Sequence, residues 1–197
     1  MILDVVTLPS DFLRQKSLPV EEVTDEIRTL IENMYETMYA TEGVGLAAVQ
    51  VGKLLRLFVL DDQDGHKMAF INPQIISTSS ETCKIDEGCL SIPSIYEGIV
   101  RPSKVTVQAL NEKGRPFTVE ADGYFARIIQ HEYDHLDGIL YIDRGEEDFK
   151  QKVIASFEKK AARRAEKDKA KAAKQAKIEA KIAAKEAKNA TRQAKSK

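Results

Sequence analysis

The chain has 197 residues and a formal net charge of −1, with two cysteines, three histidines and no tryptophan. That near-balance averages two unlike pieces: residues 1–150 carry 14 basic and 26 acidic side chains, residues 151–197 carry 16 and 5. Two cysteines are too few for a disulfide framework, the apolar runs fall far short of the ~20 residues that span a bilayer, and the opening residues do not read as an export signal. A secreted scaffold, a membrane protein and a wholly disordered chain are set aside, and a reducing, cytoplasmic setting is expected.

In chain order, the first predicted element is a helix over Asp25–Ala40. Thr24 is placed to cap it, Asp25 and Glu26 suit the positive end of the helix dipole, and Ile27, Leu30, Ile31, Met34, Tyr35 and Met38 recur on one face. Gly43-Val44-Gly45-Leu46-Ala47-Ala48-Val49-Gln50-Val51-Gly52 follows. Its glycines and small residues suit backbone that approaches a ligand closely, and Gln50 offers a neutral amide donor. Read alone, the stretch serves equally as a tight helix-to-strand turn. It lacks the Gly-Lys-Ser/Thr ending of a phosphate loop.

Leu54–Leu60 reads as a short strand closed by the turn Asp61-Asp62-Gln63-Asp64-Gly65, beside which His66 is expected to be solvated. Pro73, Pro93 and Pro102 are expected at strand edges or ends, since proline donates nothing to a ladder. Residues 104–110 and 116–121 flank Asn111-Glu112-Lys113-Gly114 as a β-hairpin.

A second helix is predicted over Gly123–Leu136, with Gly138 ending it. Phe125, Ile128, Ile129, Glu132 and Leu136 share one arc, and a glutamate inside an apolar arc is costly unless it has a partner or a task. His131-Glu132-Tyr133-Asp134-His135 is an HExxH sequence. Histidines four apart lie on one helix face and can reach one metal ion, with Glu132 close enough to move protons of a bound water. A third ligand must come from elsewhere, and His66, Cys83, Cys89, Asp137 and Asp143 are the candidates. Cys89, within Glu87-Gly88-Cys89-Leu90-Ser91, is favoured by its glycine neighbour. Cys83 reads as a small filler residue, and Arg127, next to the site, as facing outward. The fold class expected is α+β, with mixed or antiparallel sheets around a central helix carrying HExxH.

The tail differs in kind. Residues 151–197 contain fourteen alanines and neither glycine nor proline, a composition of high helix propensity with too few large apolar groups for a core. Lys160, Lys167, Lys174, Lys181, Lys188 and Lys195 recur every seven residues, and Arg164, Lys171, Lys185 and Arg192 fill a second series broken by Ile178. On a helix they draw one basic stripe that extends back onto Val153 and Phe157. Two domains are expected: residues 1–150 as the catalytic body and 151–197 as a long basic helix or tail.

Taken together, Gly43–Gln50, Glu87–Ser91 and Gln130–His135 resemble the three signature motifs of peptide deformylase, of the bacterial type, in the right order. The resemblance spans residues 1–150 and leaves the tail uncovered. It implies a divalent metal held by Cys89, His131 and His135, Fe(II) in most members, with zinc, nickel or cobalt able to substitute. It also implies hydrolysis of the N-formyl group from the initiating formyl-methionine of new polypeptides. A metal lowers the pKa of bound water, and the hydroxide attacks the formyl carbon while Glu132 accepts a proton and then gives it to the departing amine. By the same resemblance the Gln50 amide and the Leu90 N–H face the developing oxyanion. Gly45 and Gly88 line the peptide channel, and Val44, Tyr124, Ile128 and His131 wall a methionine-sized pocket.

The competing readings are another HExxH metallohydrolase, chiefly a peptidase, and a non-enzymatic RNA- or ribosome-binding module. The tail reads either as a solvated lysine–alanine helix or as a sequence-indifferent binder of phosphate, with ribosomal RNA the natural partner of an enzyme of nascent chains. It lacks the apolar face that membrane insertion needs.

Overall fold

The structure, a computed structural model, describes the backbone of residues 1–194 and the side chains of residues 1–177, 179 and 181. Helix α1 spans Asp25–Ala40, and the Thr24 hydroxyl accepts from the Ile27 N–H as predicted. Strand β1 (Gly45–Ala47) runs into a 3₁₀ turn over Ala48–Val51, so the glycine-rich stretch forms an edge strand followed by a turn. Then come β2 (Leu57–Asp61), β3 (Lys67–Thr78), β4 (Thr82–Cys89), β5 (Ile92–Pro102), β6 (Lys104–Leu110) and β7 (Pro116–Asp122). Helix α2 covers Gly123–Leu136, and α3 covers Glu147–Ala194.

The fold is α+β, and the pairings between the named strands are antiparallel rather than mixed. One sheet has the order β1-β2-β3-β6-β7; β4 and β5 form a separate pair. β6 and β7 form the predicted hairpin, with Leu110 opposite Pro116 and Lys104 opposite Asp122.

The run in β2 is continuously apolar because both sheet faces are covered. Phe58 and Leu60 join Phe125, Ile128, Ile129 and Leu136 of α2, whereas Leu57 and Val59 join Ile31, Met34 and Met38 of α1. Helix α2 is thus held against the sheet along the arc read from its periodicity. Gly138 ends it at φ +72, and a β-carbon there would run into the Arg14 carbonyl, so the chain both turns and passes close at this residue.

Three expectations are corrected. Leu54 and Leu55 lie before β2; Leu55 makes an isolated bridge to Leu18 instead. Pro73 lies inside β3, between β2 and β6, rather than at an edge. The ladder tolerates it because the register shifts between Ile71 and Gln74, and Asn72, at φ +51, turns its amide to Val20. His66 is not simply solvated: its ring stacks on Phe125 at 4.2 Å and its Nδ1 meets the Asp62 carboxylate at 2.6 Å.

The chain divides into two compact units, Met1–Ile154 and a second beginning at Ala155. In α3 the side chains of Lys160, Arg164, Lys167, Lys171, Lys174 and Lys181 are exposed, and Arg164 pairs with Asp168 at 4.0 Å. The side chains of Ile178, Lys185, Lys188 and Arg192, and the whole of Lys195, lie outside the described residues. No helix among the described residues is long and apolar enough to cross a membrane.

Candidate metal centre and cleft

Helix α2 presents His131 and His135 side by side, ring centroids 5.1 Å apart, because a four-residue step returns to the same face. The end of β4 brings Cys89 over them, its Sγ 3.3 Å from His135 Nε2. One donor atom from each of Cys89, His131 and His135 lies within 4.8 Å of the others, the single such grouping of three or more His, Cys, Asp or Glu among the described residues. The alternative third ligands point elsewhere: Asp137 pairs with Arg56 at 2.8 Å and Asp143 with Arg14 and Lys150. Cys83 accepts from Arg127 through its carbonyl and its sulfur.

These donors fit a transition-metal ion. A thiolate with two imidazoles suits a borderline-soft divalent cation and leaves a coordination position open. Beside them Glu132 Oε2 is buried without a hydrogen-bond partner among the described residues, a polar atom next to the cluster with nothing of the chain to satisfy it. Burial and the charge of His131 pull His135 well below its ordinary value, favouring the neutral imidazole that ligates. Burial also pulls on His131, but its contacts with Cys89 and Glu87 outweigh this and lift it.

Glu132 is 4 % exposed, and burial pushes its carboxyl up to about 7, with the His131 charge opposing. Gly45 abuts it from β1: a β-carbon there would collide with the Glu132 carboxylate and force it to move. Gln50, at the end of the 3₁₀ turn, is 1 % exposed and directs Nε2 toward Cys89 Sγ at 3.4 Å. Leu90 occupies the tight connection between β4 and β5.

Outside this floor is an open cleft of about 640 Å3, lined among others by Val44, Gly45, Gln50, Gly88, Cys89, Leu90, Tyr124, Ile128, His131 and Glu132. Each ligand, catalytic and pocket residue that the resemblance implies thus borders the cleft except His135, which is 1 % exposed. Gly88 faces Tyr96 across the β4–β5 pair, and Tyr96 is 71 % exposed at the rim.

A buried ionic network was not legible from the motifs. Glu87 takes the His131 Nδ1–H at 2.8 Å, fixing which ring nitrogen faces Cys89. Arg101 grips Glu87 at 2.6 and 3.0 Å and reaches Asp134 at 2.7 Å; Arg144 holds Asp134 from the other side at 2.6 and 3.1 Å. Burial alone would raise the Glu87 carboxyl, but His131 and Arg101 hold it far below the usual range. Arg127 does not face outward. It is 3 % exposed and bonds Glu87, the Ile99 carbonyl and the Cys83 carbonyl, each at 2.8 Å. Its place four residues before His131, on the same helix face, was the available signal. Arg101 had none: its partners come from β4 and α2.

A polypeptide deformylase family model matches residues 2–151. Peptide deformylase of Treponema pallidum (strain Nichols) is 54% identical over 131 residues, 66% of this chain and 80% of that protein. That of Bradyrhizobium diazoefficiens is 43% identical over 171 residues, 83% of this chain and 98% of that one. Among solved structures, a peptide deformylase from Legionella pneumophila superposes with a TM-score of 0.77 at 37% identity, covering 84% of this chain and 98% of that one. The enzyme from Ehrlichia chaffeensis in complex with actinonin gives 0.77 at 38%, covering 81% and 97%. With likeness of this extent in sequence and fold over the body that holds the Cys–His–His cluster, the chain belongs to the polypeptide deformylase family.

Proposed function

We propose that this enzyme removes the formyl group from the N-terminal formyl-methionine of newly made polypeptides in the cytoplasm, with residues 1–150 as the catalytic body. Cys89, His131 and His135 hold one divalent ion, Fe(II) as in most of the family, in a donor set that also accepts zinc, nickel or cobalt. When bound, that ion supplies a Lewis acid and a water nucleophile available near neutral pH.

The chain's own groups do the rest. Glu132, buried against Gly45 at the cleft floor, accepts a proton at its carboxylate and later delivers it to the departing amine. The Gln50 Nε2–H and the Leu90 N–H face the formyl oxygen as charge develops there. Each such donor is worth roughly 10²–10³ in rate. Val44, Tyr124, Ile128 and the flank of His131 enclose the methionine side chain, while Gly45 and Gly88 leave room for the extended peptide.

The observation that carries this reading is the convergence of three ligand atoms within 4.8 Å beside a buried glutamate. Anaerobic purification with elemental analysis and a formate assay on a formyl-methionyl peptide tests it. One transition-metal ion per chain and stoichiometric formate are expected. Cleavage of internal peptide bonds without formate would point to a peptidase instead.

The basic helix α3 is proposed to bring the enzyme to ribosomal RNA. Its exposed lysines and arginines stand on a helix with few opposite charges at neighbouring turns, which favours a polyanion over self-neutralisation.

A further inference from the structure

The Gln50 side-chain amide is held at both ends. Its Oε1 accepts the Ala47 N–H at 2.8 Å, which decides which end is oxygen and which nitrogen. Its Nε2 then carries two protons with two receivers: Ser91 Oγ at 3.2 Å and Cys89 Sγ at 3.4 Å. Both Gln50 and Ser91 are almost fully buried, at 1 % and 0 % exposure, so water does not substitute freely for either contact. The segments carrying them are also tied to one neighbour. The Val6 N–H donates to the Gln50 carbonyl at 2.7 Å and the Leu8 N–H to the Ser91 carbonyl at 3.0 Å.

We infer that Ser91 is a positioning residue for the reaction: its hydroxyl accepts one Nε2 proton of Gln50 and so holds the other toward Cys89 Sγ, on the lining of the cleft. An amide with one fixed end can still swing about its last side-chain torsion, which is a broad and soft one. Fixing oxygen by Ala47 and nitrogen by Ser91 removes that freedom before the substrate arrives. The remaining N–H, already turned toward the Cys89 side of the cleft, then passes from the sulfur to the formyl oxygen with little reorganisation, the condition under which a donor contributes most to the transition state. Without the serine hydroxyl, one proton of a buried amide loses its partner, and the amide gains by swinging away from its working orientation.

The inference rests on Gln50 acting as an oxyanion donor, and a double-mutant cycle separates the two ideas. Ser91→Ala removes one oxygen from a buried site and leaves no large cavity, and thermal midpoints of all variants establish that they are folded. Ser91→Ala is expected to lower kcat about tenfold with KM within twofold and metal content unchanged, because orientation rather than binding is lost. In a Gln50→Ala background the same change should have no further effect on kcat. An equal fold-loss in both backgrounds, an unchanged kcat in Ser91→Ala, or loss of the metal from that variant would overturn the role of Ser91. A Gln50→Ala enzyme with normal kcat would instead remove Gln50 from the reaction and the inference with it.

Discussion

Gly45 and Glu132 occupy adjoining space so closely that a β-carbon on the first would enter the carboxylate of the second. The edge strand thus sets the position of the proposed general base, and a methyl group is enough to move it. Gly45→Ala is expected to fold, retain its metal, and lose at least about a hundredfold in kcat, the penalty of a misplaced reacting group. Steady-state formate release beside elemental analysis measures both quantities.

Removing the carboxylate itself separates proton transfer from metal binding. Glu132→Ala should keep the ion, since Cys89, His131 and His135 remain, yet lose hydrolysis by several orders of magnitude. General acid–base catalysis alone accounts for about 10²–10⁴. Near-normal turnover in the metal-loaded variant would sink the mechanism.

Glu87 should matter to the metal without touching it. Glu87→Gln keeps an acceptor for the His131 Nδ1–H but removes the charge that Arg101 and Arg127 share. Metal affinity should fall by roughly 10–100-fold, the usual cost of losing a ligand's supporting carboxylate. Stability should fall by on the order of 3 kcal/mol as the buried guanidinium groups lose compensation. Competition with a chelator and urea unfolding read the two effects separately.

Acid should weaken the fold partly through Asp143. Its carboxyl is half-buried, and although burial raises it, Arg14, the Leu140 N–H and Lys150 hold it below its ordinary 3.8. A carboxyl depressed on folding stabilises fully above its unfolded pKa and loses that contribution as pH falls through its folded pKa. Asp143→Asn should therefore be less stable than the parent at neutral pH, with the gap closing below about pH 4. Urea midpoints across that range for both proteins check the sign; a gap that widens with acid would contradict it.

The tail is expected to act on location and not on chemistry. A chain lacking residues 160–197 should hydrolyse small formyl peptides at the parental rate but sediment less with ribosomes at low salt, and the full chain should lose that association as salt rises. Equal co-sedimentation of the two proteins would rule the role out.

Periodicity and spacing along the chain were sufficient wherever the deciding interactions are local. The boundaries of α1 and α2, the capping by Thr24, the ending at Gly138 and the β6–β7 hairpin follow from residues within a few turns of one another. The HExxH spacing placed His131 and His135 together for the same reason, because a helix has one geometry. The motif resemblance added Cys89, which spacing had left as one candidate among several.

Only the tertiary structure decided what depends on partners distant in the chain. Arg127 turned inward because Glu87, forty residues away, balances its charge, and no periodic rule weighs a buried cation against an anion on another strand. Pro73 was admitted to a central strand by a register shift against β6. The hydrogen bond from Gln50 to Ser91 exists because β1's turn and the β4–β5 connection meet under the N-terminal segment. Helix periodicity is a property of consecutive residues, whereas charge compensation and side-chain orientation are properties of neighbours that only the packed fold assembles.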